Sequence, residues 1–324
     1  MTEKRWGLTI PLPGTVAEQR ELIAELPGLG YTDVWSSEAN AADAFTPLAL
    51  ASVWAPELRL GTAIVPVYTR GPATLAMSAA TLAQAAPGRF ALGIGTSSNV
   101  IVEKWNGIAF DEPYKRARDT LRFLHAALRG EKVTAKYDTF EIDGFVPAVV
   151  ADPAPPVLLA ALRPSMLRLA GREGDGAIVN WLGADDVPTV AKHVREGAAS
   201  KGVSDPEVVA RIFVLPGLDA DTARGIGRRM IAAYMNVPVY RAFHEWLGRG
   251  EAFGPMWAAW EAGDRKGALA AIPDEVVDQL IVHGPAEKCR EHIERYVDAG
   301  VTTPVIALTV DGDPAPMVRA LAPR

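Results

Sequence analysis

The chain has 324 residues, 49% hydrophobic and 22% charged, with a net charge of −6 at pH 7. That balance shows no basic footprint for nucleic acid and no apolar run of about 18 residues that would span a membrane. With Cys289 as the one cysteine, an internal disulfide framework is excluded and a reducing compartment is expected. The N-terminal stretch Met1-Thr2-Glu3-Lys4-Arg5-Trp6 lacks the charged-then-apolar pattern of a signal peptide, so the expected location is the cytoplasm.

In chain order, short and nearly continuous apolar runs fall at residues 7–11, 32–36, 60–65, 90–94, 157–160, 177–180, 212–215 and 304–308. Such runs fit parallel strands covered on both faces. Helical patterns lie between them. Leu75, Ala79, Leu82 and Ala86 recur at helical spacing between Gly71 and Pro87. Tyr114, Ala117, Leu121, Leu124 and Leu128 form a stripe that starts beside Pro113 and stops at Gly130, the usual start and stop residues of a helix. This stripe serves either the core or a subunit interface. Residues 132–142 alternate around Tyr137-Asp138 and read as a small hairpin outside the main sheet. Residues 147–156 are proline-rich and read as a connector. From about 229 to 271 runs a helical segment carrying Tyr234, Tyr240, Phe243, Trp246, Phe253, Trp257 and Trp260. It is either an extra helical pair filling a core or a lid and pocket wall inserted after strand seven. Eight strands alternating with helices point to an α/β fold, a (β/α)₈ TIM barrel forming a single domain over residues 1–324, ahead of an open doubly wound sheet.

A barrel carries its chemistry where strands end, on the C-terminal face. Ser36-Ser37-Glu38-Ala39-Asn40 follows strand two, and Glu38 is the one carboxylate immediately after an early strand; it reads equally as a catalytic group and as a helix-cap or salt-bridge residue. Tyr68 and Asn180 also lie near strand ends. Gly93-Ile94-Gly95-Thr96-Ser97-Ser98 after strand four has small residues that let the backbone approach a flat ring or a phosphate. It is neither a Rossmann fingerprint nor a P-loop. Arg163-Pro164-Ser165 opens a helix and offers free N–H groups, a hydroxyl and a guanidinium, either an anion site or an ordinary cap. None of the five histidines follows a proposed strand or pairs at zinc spacing, so no metal is expected. There is no Gly-x-Ser-x-Gly elbow, and Cys289 falls mid-helix.

These motifs together resemble the luciferase-like monooxygenase superfamily, in its branch using coenzyme F420. The resemblance covers nearly the whole chain. It rests on residues 60–77 (LGTAIVPVYTRGPATLAM), 87–96 (PGRFALGIGT) and 159–176 (LAALRPSMLRLAGREGDG), and on 284–288 (GPAEK) with 296–301 (YVDAGV). It implies a non-prolyl cis peptide behind the cofactor ring, expected at Thr62–Ala63. It also implies a ring lined by Gly95, Thr96 and Ser97, a phosphate-bearing tail held at Leu162 and Arg163 with Ser165 nearby, and Glu38 as the acid of a Ser-Glu/Asp-His motif. Ala39 stands where many relatives have histidine, which argues against F420-type sugar-phosphate dehydrogenase and bacterial luciferase activities. The pattern Ser-Glu-Ala-x-x-x-Asp-Ala is similar to an actinobacterial F420-dependent subgroup. Ser98 stands where the sugar-phosphate dehydrogenases carry a catalytic glutamate.

The implied function is hydride transfer between the deazaflavin and a small organic substrate, with Glu38, Asp43 and Ser98 as catalytic candidates. Two alternatives stay open. One is an FMN-dependent monooxygenase served by a separate reductase; the other is a non-catalytic ligand-binding barrel. Relatives are commonly homodimers, so a homodimer is expected.

Overall fold

The apolar runs become strands because each is buried on both faces. The computed structural model describes residues 5–323; Met1 to Lys4 of the N-terminal hexapeptide lie outside the described residues. The strands are β1 (Gly7–Thr9), β2 (Asp33–Ser36), β3 (Arg59–Thr62), β4 (Val65–Pro66), β5 (Phe90–Gly95), the hairpin pair β6 (Val133–Lys136) and β7 (Glu141–Phe145), β8 (Val157–Ala160), β9 (Gly176–Asn180), β10 (Glu207–Pro216), β11 (Ile281–Gly284) and β12 (Thr303–Leu308). Strands β1, β2, β3, β5, β8, β9, β10 and β12 pair in parallel in that order, and β12 returns to β1. The result is the closed eight-stranded barrel expected, with β6 and β7 as a separate antiparallel hairpin.

Helices cover the outside: α1 (Arg20–Glu25), α2 (Phe45–Trp54), α3 (Pro72–Ala85), α4 (Pro113–Leu128), α5 (Pro164–Glu173) and α6 (Val187–Ala198). Between β10 and β11 come α7 (Ala220–Met235), α8 (Pro238–Trp246), α9 (Gly250–Glu261), α10 (Arg265–Ala270) and α11 (Asp274–Leu280), and α12 (Ala286–Asp298) and α13 (Ala315–Ala320) flank β12. None of the helices among the described residues is long and apolar enough to cross a membrane. On α4 the residues Ala117, Leu121, Leu124 and Leu128 are buried within this one chain, so the stripe belongs to the core.

Three departures from the sequence reading shape the barrel beyond shifts of a residue or two at strand ends. Strand seven starts at Glu207 rather than Ile212, because two charged residues, Glu207 and Arg211, lie within the strand. Its length lets one edge serve two partners: Glu207 to Arg211 pair with β9, and Phe213 to Pro216 pair with β11. The strand β11, unforeseen in the sequence, fills that second place and carries His283. The run 60–65 is broken after Thr62, and β4 resumes pairing with β5 at Val65.

The barrel interior is layered. Trp35, Ala91, Leu158, Ile178, Val209 and Val305 meet in one buried cluster. Below them the N-terminal end is closed by charge. Arg59 lies 5.5 Å from the Trp35 ring centroid and pairs with Glu207 at 2.6 Å and with the fully buried Asp33 at 3.4 Å. The larger core lies between the strands and the surrounding helices, and a second apolar cluster joins Trp181 and Phe213 to Phe253, Met256 and Trp257 of the insertion.

His244 of α8 shows how dry that insertion is. It has no exposed surface, neither ring nitrogen has a hydrogen-bond partner, and Phe253 meets it edge-on at 5.2 Å. Burial, with the charge of Arg249, pushes its pKa down to about 3. The unfolded chain therefore binds a proton near pH 6.5 that the folded chain refuses until far lower pH. Stability is complete above pH 6.5 and is lost as pH falls below it, by up to about 1.4 kcal/mol per pH unit. Urea denaturation at pH 7.5 and 4.5 is expected to show wild type losing roughly 2.5 kcal/mol more than His244→Met. Equal losses in the two proteins would mean that His244 is protonated in the fold.

Candidate active site at the barrel mouth

Strand residues two positions above the buried layer also face inward, since side chains alternate along a strand. Ser37, Ala160, Asn180 and Arg211, with Gly95 four positions above Ala91, thus line the C-terminal mouth, and apart from Gly95 they keep part of their surface exposed. The floor of the mouth is apolar and its rim is polar.

The wall at β3 to β5 is built by close approach. Thr62 is buried, and its hydroxyl donates to the Gly93 carbonyl and accepts from the Gly93 N–H, both at 2.8 Å. Thr62 therefore braces the bulge from behind, with its side chain committed to Gly93. The cis peptide lies at Ala63–Ile64, one residue later than expected. Thr62 is still held in register opposite Ser36 of β2, so the chain leaves the strand only after it. The bulge is tied to its neighbours: the Ala63 N–H donates to the Ser36 carbonyl, and the Glu38 N–H donates to the Ile64 carbonyl at 3.0 Å. Beside it, a Cβ on Gly95 would lie 2.8 Å from the Ala160 Cβ and 3.1 Å from Ile64 Cγ1. The missing side chain lets Ile64 and Ala160 close in on the Gly95 backbone and form a wall of small residues beside the cis peptide. Thr96, Ser97 and Ser98 continue the rim, half-buried, and Ser97 has a left-handed backbone with φ 61°.

Adjacent on the rim, Leu162 and Arg163 lead into α5. Arg163 is extended, Pro164 occupies the first turn, and no side chain caps the helix. Arg163 and Ser165 are exposed. The first-turn N–H groups, the helix dipole and the guanidinium together favour an anion.

The acidic candidates are held differently from one another. Glu38 makes a two-pronged pair with Arg70, whose Nη2 lies 2.7 Å from Oε2 and whose Nε lies 3.2 Å from Oε1. Asp43 lies 3.6 Å from the same guanidinium, and its Oδ1 accepts from the N–H groups of Phe45 and Thr46 at the start of α2. Burial would raise the Asp43 carboxyl, but those hydrogen bonds and Arg70 hold it below the usual carboxylate range. Asp43 is thus a helix-start residue. The Ser98 hydroxyl faces the Ile101 N–H at 3.4 Å, and its carbonyl accepts from Val102 at 2.9 Å. Tyr68 donates its hydroxyl to the Asp111 carbonyl at 2.6 Å, and burial pushes its pKa up to about 12. Sequence reasoning missed Arg70 as the counter-ion of Glu38, which is 32 residues away in the chain.

Opposite, β9 and β10 meet the insertion. Asn180 donates to the Tyr240 hydroxyl at 3.2 Å. Burial pushes Tyr240 up to about 12. Trp181, with φ 54°, packs its ring 4.1 Å from Phe213 and 4.8 Å from Tyr234. The insertion aromatics therefore divide: Phe243, Phe253 and Trp257 are buried, while Tyr234 and Tyr240 turn toward the mouth residues. Arg211 was also missed; its signal was a lone cation inside the apolar run 208–215.

The profile of the luciferase-like monooxygenase family matches residues 4–303 of this chain. A 5,10-methylenetetrahydromethanopterin reductase of Methanolobus tindarius is 25% identical over 280 residues, covering 84% of each chain. Among solved structures, the coenzyme F420-dependent tetrahydromethanopterin reductase of Methanopyrus kandleri superposes with a TM-score of 0.82 at 21% identity, covering 99% of this chain and 98% of that one. An FMN-bound type II Baeyer-Villiger monooxygenase of Pseudomonas putida superposes with a TM-score of 0.67 at 17% identity, covering 98% and 96%. The similar proteins are thus reductases and monooxygenases on one barrel. The chain belongs to the luciferase-like monooxygenase family.

Proposed function

We propose that the mouth binds coenzyme F420 and that the protein is an oxidoreductase passing a hydride between the deazaflavin and a small organic substrate. The observation that carries this reading is the small-residue wall where the cis Ala63–Ile64 bulge meets Gly95 and Ala160, with the uncapped start of α5 on the same rim. A planar ring fits the first and a phosphate fits the second. In this reading Ala63, Gly95, Thr96 and Ser97 support the ring, with Thr62 bracing them, and Leu162, Arg163 and Ser165 hold the tail. When bound, the cofactor supplies the hydride chemistry; the protein positions it and the substrate.

Glu38, paired with Arg70, is the carboxylate assigned to proton transfer at this wall. Asp43 adds negative charge to Arg70, and Ser98 offers a hydroxyl across the rim. Trp181, Tyr234 and Tyr240 shield the opposite side from water. Glu38→Gln is expected to lower turnover about 100-fold on any substrate the wild type turns over, with cofactor affinity nearly unchanged. Retained turnover would remove Glu38 from the proton path. A homodimer in the cytoplasm completes the reading, and sedimentation of the purified protein tests its assembly.

The FMN-bound neighbour supports one rival, since a flavin ring and phosphate ask for the same two surfaces. Titrating the purified protein with each cofactor separates them. Saturation by F420 in the micromolar range without saturation by FMN is the expected result. FMN binding alone would transfer the protein to the monooxygenases, and binding of neither would leave a ligand-binding barrel of another kind.

A further inference from the structure

Arginines of restricted exposure in this protein hold carboxylates or backbone carbonyls; Arg89 donates to the Leu58 carbonyl and Arg116 to those of Val67 and Thr139. Arg59 has Glu207 at 2.6 Å, Arg70 has Glu38 at 2.7 Å and Arg249 has Asp186 at 2.8 Å. Arg211 is the exception. It projects into the barrel from β10, level with Asn180 of β9 and Val305 of β12. Its Nε is buried with no hydrogen-bond partner, and no ion pair or hydrogen bond to its guanidinium is found among the described residues. Its one contact of note is the Phe213 ring, 5.1 Å from the guanidinium carbon. The titratable side chains around it are the phenols Tyr234 and Tyr240, with no carboxylate among them, and burial disfavours its charged form. A buried cation without an acid is costly, and nothing in the strand geometry requires arginine at this position.

Position says what it could meet. Counting round the barrel, β10 is the seventh strand and lies opposite β3, the third, whose bulge backs the Gly95 surface. If the cofactor ring occupies that surface, as proposed above and on which this inference rests, the space before Arg211 belongs to the second reactant. Its surroundings are aromatic: Tyr234 is exposed and Tyr240, bonded to Asn180, is half-buried, while Trp181 and Phe213 pack together, buried, beside Tyr234. One guanidinium and one amide match a monoanion better than a phosphate dianion, which usually gathers several cations or a helix start. We propose that Arg211 is the receptor for the carboxylate of a planar organic substrate whose body packs on Tyr234 and Tyr240, so that the enzyme selects conjugated or aromatic carboxylic acids. Asn180, fixed by Tyr240, is the neighbouring donor for the same group.

The test uses two probes of one shape and different charge, trans-cinnamate and cinnamamide, titrated by calorimetry into the full-length protein with and without F420. Wild type is expected to bind cinnamate at least tenfold more tightly than the amide. In Arg211→Met that ratio should fall to within threefold of one, with F420 affinity within threefold of wild type and a melting temperature that is unchanged or higher, because an unpaired buried cation has been removed. Arg211→Lys should restore part of the preference. The proposal is overturned if wild type shows no preference, including the case where neither probe binds at tens of millimolar. It is also overturned if the preference survives Arg211→Met, if that variant is destabilised, or if F420 affinity falls with it. If F420 does not bind wild type but the cinnamate preference appears and depends on Arg211, the cofactor reading fails and the anion receptor stands.

Discussion

Gly93→Ala is expected to lose at least about 3 kcal/mol of stability and much of its soluble yield. A methyl at this position would lie 1.9 Å from the Thr62 carbonyl oxygen and 2.3 Å from Ile178 Cδ1. The first is backbone and cannot swing away. The same Thr62 is locked to Gly93 by two hydrogen bonds through its hydroxyl, so making room means parting β3 from β5 where they hold the bulge. Ile178 belongs to the buried interior layer, which is already closely packed. Urea midpoints with a common m-value check the size of the loss. A change below about 1 kcal/mol would mean that the β3–β5 approach is looser than described.

Gly95→Val, two residues along the same strand, is expected to behave differently. Its added side chain meets the Ala160 Cβ and the Ile64 side chain rather than backbone, and it projects into the mouth. Stability should fall by only ~1–2 kcal/mol, while F420 affinity should fall about a thousandfold, ~4 kcal/mol, because the valine fills the surface proposed for the ring. Fluorescence titration of the deazaflavin measures the affinity, and a thermal melt shows that the fold is kept. Wild-type affinity in Gly95→Val would place the ring elsewhere. The contrast between the two glycines separates what the strand end needs for folding from what it offers a ligand.

The barrel was legible because its strands are short apolar runs set between helices with strong punctuation. Pro72, Pro113 and Pro164 do open α3, α4 and α5. The misread boundaries share a cause: local pattern competes with tertiary pairing. Glu207 and Arg211 look like loop residues, yet one closes the barrel base against Arg59 and the other faces the mouth. The strand β11 follows α11 with no glycine or proline between them, so nothing local marks its start. The run 60–65 is apolar but for Thr62, and only the anchoring of Thr62 by Gly93 shows where it breaks. At the site, the small residues around Gly95 and the arginine-opened helix were visible in sequence. The pairing of Glu38 with Arg70 and the isolation of Arg211 were not, because both depend on which distant residues come near.

The central claim is that a deazaflavin lies on the Gly95 surface with its phosphate at the start of α5. A crystal structure of the protein soaked with coenzyme F420 tests it most directly. The account predicts the ring packed against Ala63–Ile64, Gly95 and Ala160, with the tail phosphate at the N–H groups following Arg163. Ring density elsewhere in the barrel, or a mouth that stays empty at saturating cofactor, would contradict it.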